Sequence, residues 1–264
     1  MLATLTFLGS GTSMGVPTLG CTCAVCADAR LPNSPNRRTR PSIAISYDQH
    51  TVLIDTGPDF HHQAIRENLT SVDAVLYTHS HADHILGMDD LRPLSFARPE
   101  GIVLYADDAT AEVIERVFEY TFRAVDRYPT SARVKFHRTA TAAGTAISLF
   151  GTDFIRVPIN HGRNTIAGYR FGAAAYLTDM SGIPSESLPL LEGLDILVLD
   201  ALRREPHPTH SHLQQSIDLV EKISPRRAFF THISHDLDHA TTNASLPAHI
   251  RLAHDGLKLE FEIA

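Results

Sequence analysis

Three histidines and an aspartate fall within six residues, His79-Ser80-His81-Ala82-Asp83-His84, directly after the apolar run Ala74, Val75, Leu76, Tyr77. The apolar run predicts a buried strand, so the four polar groups emerge together at one strand end. Imidazole is a borderline ligand suited to zinc, iron or nickel, and a carboxylate adds affinity for manganese and magnesium. In extended backbone His79 and His81 point the same way, while Asp83 and His84 lie past the turn and can serve a second ion. A solvated polar loop would account for one such histidine. Four ligand-type groups at this spacing predict metal binding.

The run reads HxHxDH, and the chain around it resembles the metallo-β-lactamase superfamily along nearly its whole length. The resemblance implies three further ligands from downstream loops, each after its own strand. His161, in Pro158-Ile159-Asn160-His161-Gly162, stands where the family has its third histidine. Asp179, in Leu177-Thr178-Asp179-Met180-Ser181-Gly182, stands for the bridging aspartate, and His232, in Phe229-Phe230-Thr231-His232, for the final histidine. One site would then be His79, His81 and His161, and the other Asp83, His84 and His232, with Asp179 between them. The expected cofactors at this centre are two divalent ions, manganese or zinc. Asp55, in Val52-Leu53-Ile54-Asp55-Thr56-Gly57, is similar to the family's early strand-end aspartate and is expected to orient a metal-bound histidine.

All three cysteines sit in Cys21-Thr22-Cys23-Ala24-Val25-Cys26. An odd count leaves one thiol over from any disulfide, whereas thiolates suit structural zinc, which usually takes four ligands in a closed tetrahedron. A fourth donor is needed, and His235 in Thr231-His232-Ile233-Ser234-His235 is the candidate. CxCxxC together with THISH is similar to the PhnP-like phosphodiesterases. That resemblance implies one structural zinc beside the catalytic pair, carried by a loop at about residues 20–27.

A chain of 264 residues, 43% apolar and 20% charged, can bury a large core, and one domain spanning 1–264 is expected. A net charge of −7 weighs against a general nucleic-acid binder, which needs clustered Lys and Arg. The one basic concentration, Arg37, Arg38 and Arg40, reads as a solvated loop. No apolar stretch approaches the roughly 18–20 residues that span a bilayer, and no leader pattern opens the chain. Zinc-held reduced thiols fit the cytoplasm. No membrane partner and no stable nucleic-acid binding are expected; family habit allows a homodimer.

Strand patterns fall at 2–8, 43–47 and 51–54 (a hairpin), 134–137, 146–150, 153–157, 166–171, 173–177, 196–199, 228–230 and 257–263. Helical spacing covers 107–120 and 211–223, the second closed by Ser224-Pro225. This mixture predicts layered α/β packing. The resemblance sharpens it to an αββα sandwich, two facing mixed β-sheets with helices outside. The glycine-rich turn Gly9–Ser13 lacks the Walker pattern, looks like the GTS turn of the transfer-RNA-processing branch, and reads as a structural corner.

The resemblance also implies a chemistry: phosphodiester hydrolysis by a metal-bridging hydroxide, formed where two ions roughly 3.5–4 Å apart bring the pKa of water near 7. The leaving alkoxide then needs a proton, and a positioned general acid contributes roughly 10²–10⁴-fold. His210, in His207-Pro208-Thr209-His210-Ser211-His212, precedes a helix at the position of the PhnP-like catalytic histidine, and it joins Asp83 as a catalytic residue. His207 and His212 are expected at the surface or capping that helix. Arg92 is expected to pair with Asp89 or Asp90. The substrate expected is a small phosphodiester or nucleotide, best a cyclic phosphate of ribose or a nucleoside. The rival readings are a transfer-RNA 3′ endonuclease, for which no basic arm is seen, and a thioester hydrolase of the glyoxalase II type. An iron-dependent oxygenase and a nucleotide-binding sensor without turnover complete the alternatives.

Overall fold

Segments such as Ile43-Ala44-Ile45 and Val52-Leu53-Ile54 are apolar on both faces of a strand, so the sheets they form need cover on each side. The computed structural model, which describes residues 1–263, supplies that cover with four layers. The first sheet collects β1 (Leu2–Gly9), β2 (Ser42–Tyr47), β3 (His50–Ile54), β4 (Ala74–Leu76), β5 (Ile102–Ala106) and β6 (Val134–Arg138). The second collects β7 (Ala146–Leu149), β8 (Thr152–His161), β9 (Asn164–Phe171), β10 (Ala174–Leu177), β11 (Ile196–Asp200), β12 (Arg227–Thr231) and β13 (Ile250–Leu252). The last strand, β14 (Lys258–Glu262), returns to the first sheet beside β1. Spatial orders are β14-β1-β2-β3-β4-β5-β6 and β13-β12-β11-β10-β9-β8-β7, each sheet mixing parallel and antiparallel pairs.

Strand alternation sorts the core. In β3, Val52 and Ile54 face the other sheet while Leu53 faces outward, and in β11 Ile196 and Val198 face inward against outward Leu197 and Leu199. Between the sheets, Phe154 lies 6.4 Å from Tyr47 and 5.5 Å from Phe171 by ring centroids, and Phe7 lies 6.4 Å from Phe229. Phe154→Ala should therefore cost about 3–5 kcal/mol in a urea unfolding experiment. A loss under about 1 kcal/mol would contradict a shared inter-sheet core.

Helices cover the outer faces: α1 (Ala24–Asp28), α2 (Phe60–Arg66), α3 (Ala82–Ile85), α4 (Arg92–Ser95), α5 (Asp108–Val117), α6 (Glu119–Phe122), α7 (Leu213–Ile223) and α8 (His239–Ser245). Phe60 of α2 and Ile114 of α5 pack on the first sheet, Leu213 and Val220 of α7 on the second. No helix among the described residues is long and apolar enough to cross a membrane.

Several expectations shift. The helix expected over 107–120 breaks at Phe118, which sits at φ −109° and ψ 37°, so α5 and α6 are separate. Strand β8 runs on through Pro158 to His161. It can do so because its neighbour β7 ends opposite Ile155, leaving the edge at Pro158 without a ladder to interrupt. Of the arginines at 37, 38 and 40, expected in a solvated loop, only Arg37 is exposed. Arg38 is 2% exposed and donates to Ser10 Oγ at 2.9 Å, and Arg40 pairs with Asp59 at 3.1 Å. The Gly9–Ser13 turn is a corner: Ile233 N donates to Ser10 O at 3.0 Å and Thr12 N to Ile233 O at 3.1 Å.

Candidate metal centre

Parallel pairing aligns the carboxyl ends of β3 and β4 in one sheet and of β10, β11 and β12 in the other. Strand β8, two antiparallel steps from β10, ends on the same side. Ligand sites gather at such carboxyl edges. Asp55 follows β3, His79 follows β4, His161 closes β8, Asp179 follows β10, Asp200 closes β11 and His232 follows β12. Three of these turn the chain through left-handed backbone, with φ of 64° at Asp55, 59° at Asp179 and 57° at His232. Such conformations cost non-glycine residues roughly 1–3 kcal/mol each and persist where the surroundings hold them.

Two groups of ligand atoms share Asp179, and a third, smaller one joins Asp200, His210 and His232. His79, His81, His161 and Asp179 form the first, and Asp83, His84, Asp179 and His232 the second, the ligand atoms of each group lying within 4.8 Å of one another. Asp179 belongs to both: Oδ2 is 3.7 Å from His79 Nε2, while Oδ1 is 3.2 Å from both His84 Nε2 and His232 Nε2. His79 Nε2, Asp83 Oδ2, His84 Nε2 and His232 Nε2 are buried and make no hydrogen bond. Buried polar atoms left this way cost about 1–3 kcal/mol each. Converging imidazole and carboxylate lone pairs are the donor set that a divalent cation would satisfy.

The outward nitrogens are engaged. His84 Nδ1 donates to Asp55 Oδ2 at 2.7 Å, and Asp55 also accepts from Thr78 N and Thr78 Oγ1, each at 2.8 Å. His161 Nδ1 donates to the carbonyls of Asp179 at 2.7 Å and Thr209 at 3.0 Å. These bonds fix the tautomer that turns Nε2 inward.

Charge separates the histidines. Burial holds His79 well below the usual imidazole range, helped by His84. At His232 burial pulls the same way but Asp179, Asp200 and Asp83 overcome it, raising the ring to about 9. Asp179 is likewise held far down, against its burial, by His232 and His84.

His210 comes to the rim of this centre. Its ring stacks on His232 at 4.6 Å and 10°, and meets His161 edge-on at 4.9 Å. Nδ1 donates to Asp200 Oδ2 at 2.7 Å, which leaves Nε2 as the free nitrogen. Burial, with His232 beside it, pushes His210 down to about 4. Asp200 itself escaped the sequence reading, although Leu197-Val198-Leu199-Asp200 repeats the form of Val52-Leu53-Ile54-Asp55. His207 lies 5.1 Å from His210, and His212 occupies the N-cap position of α7 without a side-chain cap bond. Arg92 makes no close ion pair with Asp89 or Asp90, though its charge still favours the Asp90 carboxylate; it lines an outer cavity with Tyr120 and Tyr128.

A separate group joins Cys21, Cys23, Cys26 and His235, again with ligand atoms within 4.8 Å. His235 Nδ1 stands 3.2 Å from Cys26 Sγ and 3.7 Å from Cys23 Sγ. Three thiols and one imidazole make a closed set of four, the number a structural zinc uses. Burial pushes the Cys26 thiol up to about 11, a cost that a bound cation would reverse. Because His232 and His235 are three residues apart, this group also props the loop that carries His232.

Comparison with known proteins agrees with the architecture. Residues 50–233 match the beta-lactamase superfamily domain. A solved structure described as a new diphosphatase from the PhnP family is 55% identical, with a TM-score of 0.92 over 100% of this chain and 98% of that one. An octanoyltransferase of Porphyromonas gingivalis is 37% identical over 95% of this chain and 50% of its own length. A ribonuclease Z of Parasynechococcus marenigrum is 28% identical over 80% of this chain and 57% of its own. The chain thus spans about half the length of the curated relatives it matches. A strand-end histidine and aspartate cluster between two seven-stranded sheets, together with these matches, means that the chain belongs to the metallo-β-lactamase superfamily and is PhnP-like.

Proposed function

We propose that this protein is a metal-dependent phosphodiesterase, one domain over 1–264, acting on small phosphodiesters such as cyclic phosphates of ribose or nucleosides. One observation carries the reading: the four inward atoms of His79, Asp83, His84 and His232 are buried without hydrogen bonds around the shared Asp179 carboxylate. In this reading His79, His81 and His161 hold one divalent ion, Asp83, His84 and His232 another, and Asp179 both. Such ions, manganese or zinc, supply Lewis-acid charge for a phosphoryl group and acidify water. Asp55 holds His84 in its ligand tautomer, and Asp83 also orients the attacking water. His210, pinned through Nδ1 by Asp200, presents Nε2 to the leaving oxygen. Because burial holds the free ring down to about 4, Nε2 must first take up a proton from solvent as the anionic substrate binds, and then passes it to that oxygen.

A second reading follows from the 55%-identical PhnP-family relative described as a diphosphatase: the bond cut would then be a diphosphate linkage. A screen of metal-analysed protein against 2′,3′-cyclic nucleotides, 5-phosphoribosyl 1,2-cyclic phosphate, bis(p-nitrophenyl) phosphate, ADP-ribose, a transfer-RNA precursor and thioesters separates the readings. Turnover confined to thioesters or to the RNA, or none at all in metal-loaded protein, would refute the proposal.

The Cys21, Cys23, Cys26 and His235 group is assigned a structural zinc on the loop at about 20–27. Cys26→Ser should remove one zinc per chain and lower the thermal midpoint by about 5–10 °C, the shift expected for a few kcal/mol in a chain of this size. Unchanged zinc content in elemental analysis would count against the assignment.

A further inference from the structure

Arg163 stands at the tip of the β8–β9 hairpin, two residues after His161. The hairpin closes through Gly162 and Arg163 alone, since His161 pairs with Asn164. Gly162 has φ 60°, its N–H donates to Ser181 Oγ at 3.0 Å, and a Cβ there would lie 2.8 Å from Thr209 Cγ2. The turn is therefore fixed, and so is the place where the arginine leaves it.

Arg163 is exposed and makes no hydrogen bond or ion pair among the described residues. It lines a cavity of about 400 Å³ whose wall includes His79, His81 and His161. The one carboxylate on that wall, Asp107, is already committed: Oδ2 accepts from Arg156 at 3.0 Å and Oδ1 from Thr110 N at 3.0 Å. In a chain of net charge −7, the cavity beside the metal centre thus carries an unanswered positive charge.

We infer that Arg163 is a specificity-determining residue that grips a second anionic group of the substrate, a phosphoryl oxygen beyond the scissile one. A guanidinium fork matches the spacing of phosphoryl oxygens and keeps its charge at any working pH. The inference rests on the proposed phosphodiesterase reading and deepens it by requiring two charged groups on the preferred substrate. The second group can be a phosphomonoester on the sugar or the other phosphoryl of a diphosphate bridge.

The test is steady-state kinetics of metal-loaded wild type, Arg163→Ala and Arg163→Lys. Singly anionic substrates are bis(p-nitrophenyl) phosphate and adenosine 2′,3′-cyclic phosphate; doubly anionic ones are 5-phosphoribosyl 1,2-cyclic phosphate and ADP-ribose. In Arg163→Ala the ratio of kcat/KM for doubly over singly anionic substrates falls about ten- to hundredfold, the range for one charge-assisted hydrogen bond. The fall is carried by KM, and Arg163→Lys recovers part of it. A fall with only the sugar phosphate assigns the phosphomonoester; a fall with only ADP-ribose assigns the diphosphate. An unchanged ratio overturns the role of Arg163, while leaving the phosphodiesterase reading in place. If the wild type turns over none of these compounds, that reading fails instead. Calorimetric binding of ribose 5-phosphate to metal-loaded protein then decides on Arg163 separately: weaker binding by Arg163→Ala upholds it and equal binding overturns it.

Discussion

Asp179→Asn should reduce turnover of bis(p-nitrophenyl) phosphate by about 10³-fold or more and leave at most one divalent ion bound per chain. Its carboxylate reaches both ligand groups, 3.7 Å from His79 Nε2 on one side and 3.2 Å from His84 Nε2 and His232 Nε2 on the other. Asparagine keeps the shape and tolerates the left-handed backbone at φ 59°, so the substitution tests charge without adding backbone strain. What it removes is the negative charge and one acceptor oxygen, both of which two cations would share. The bond from His161 Nδ1 goes to the backbone carbonyl of residue 179 and survives the change. Elemental analysis beside kcat measures the outcome. Two bound ions and turnover within tenfold of wild type would sink the paired-ion reading.

The difference between what the sequence disclosed and what it hid is a difference of range. His79, His81, Asp83 and His84 sit within six residues, so their convergence is almost local and the spacing alone exposes it. His161, Asp179 and His232 meet that cluster only after β8, β10 and β12 have been stacked against the first sheet, and family order rather than spacing singled them out. Both sheets were legible because continuous apolar runs like Ile43-Ala44-Ile45 and Ile196-Leu197-Val198-Leu199 mark strands buried on both faces. Strands β5 and β13 were not found, although strands no longer than these, such as β4 and β11, were. Asp200 was missed because nothing local marks a strand-end aspartate as the partner of a histidine ten residues on. Arg38 was misread for a related reason. Its burial depends on Ser10, Ala253 and His239, each far away in the chain.

His210→Ala should leave metal content at the wild-type level while cutting kcat on diesters with alkoxide leaving groups by about 10²–10⁴-fold. The loss on p-nitrophenyl esters should be much smaller, because nitrophenolate departs without needing a proton. Geometry supports both halves of this expectation. His210 stacks on His232 without belonging to the two groups around Asp179, and the buried Asp200 carboxylate occupies its Nδ1. A ring held by Nδ1 has one nitrogen left to present to a leaving oxygen, and its orientation is set before the substrate arrives. Asp200→Asn should then reproduce the same leaving-group selectivity at smaller amplitude, about 10–100-fold, since the ring remains but loses the carboxyl group that holds its Nδ1. Equal losses on both classes of ester in His210→Ala would remove the acid role and leave His210 as packing against His232. A Brønsted series of aryl and alkyl diesters distinguishes the two: a steeper dependence on leaving-group pKa in the variant is the signature of a missing acid, because the wild type supplies the proton that weak acids cannot do without.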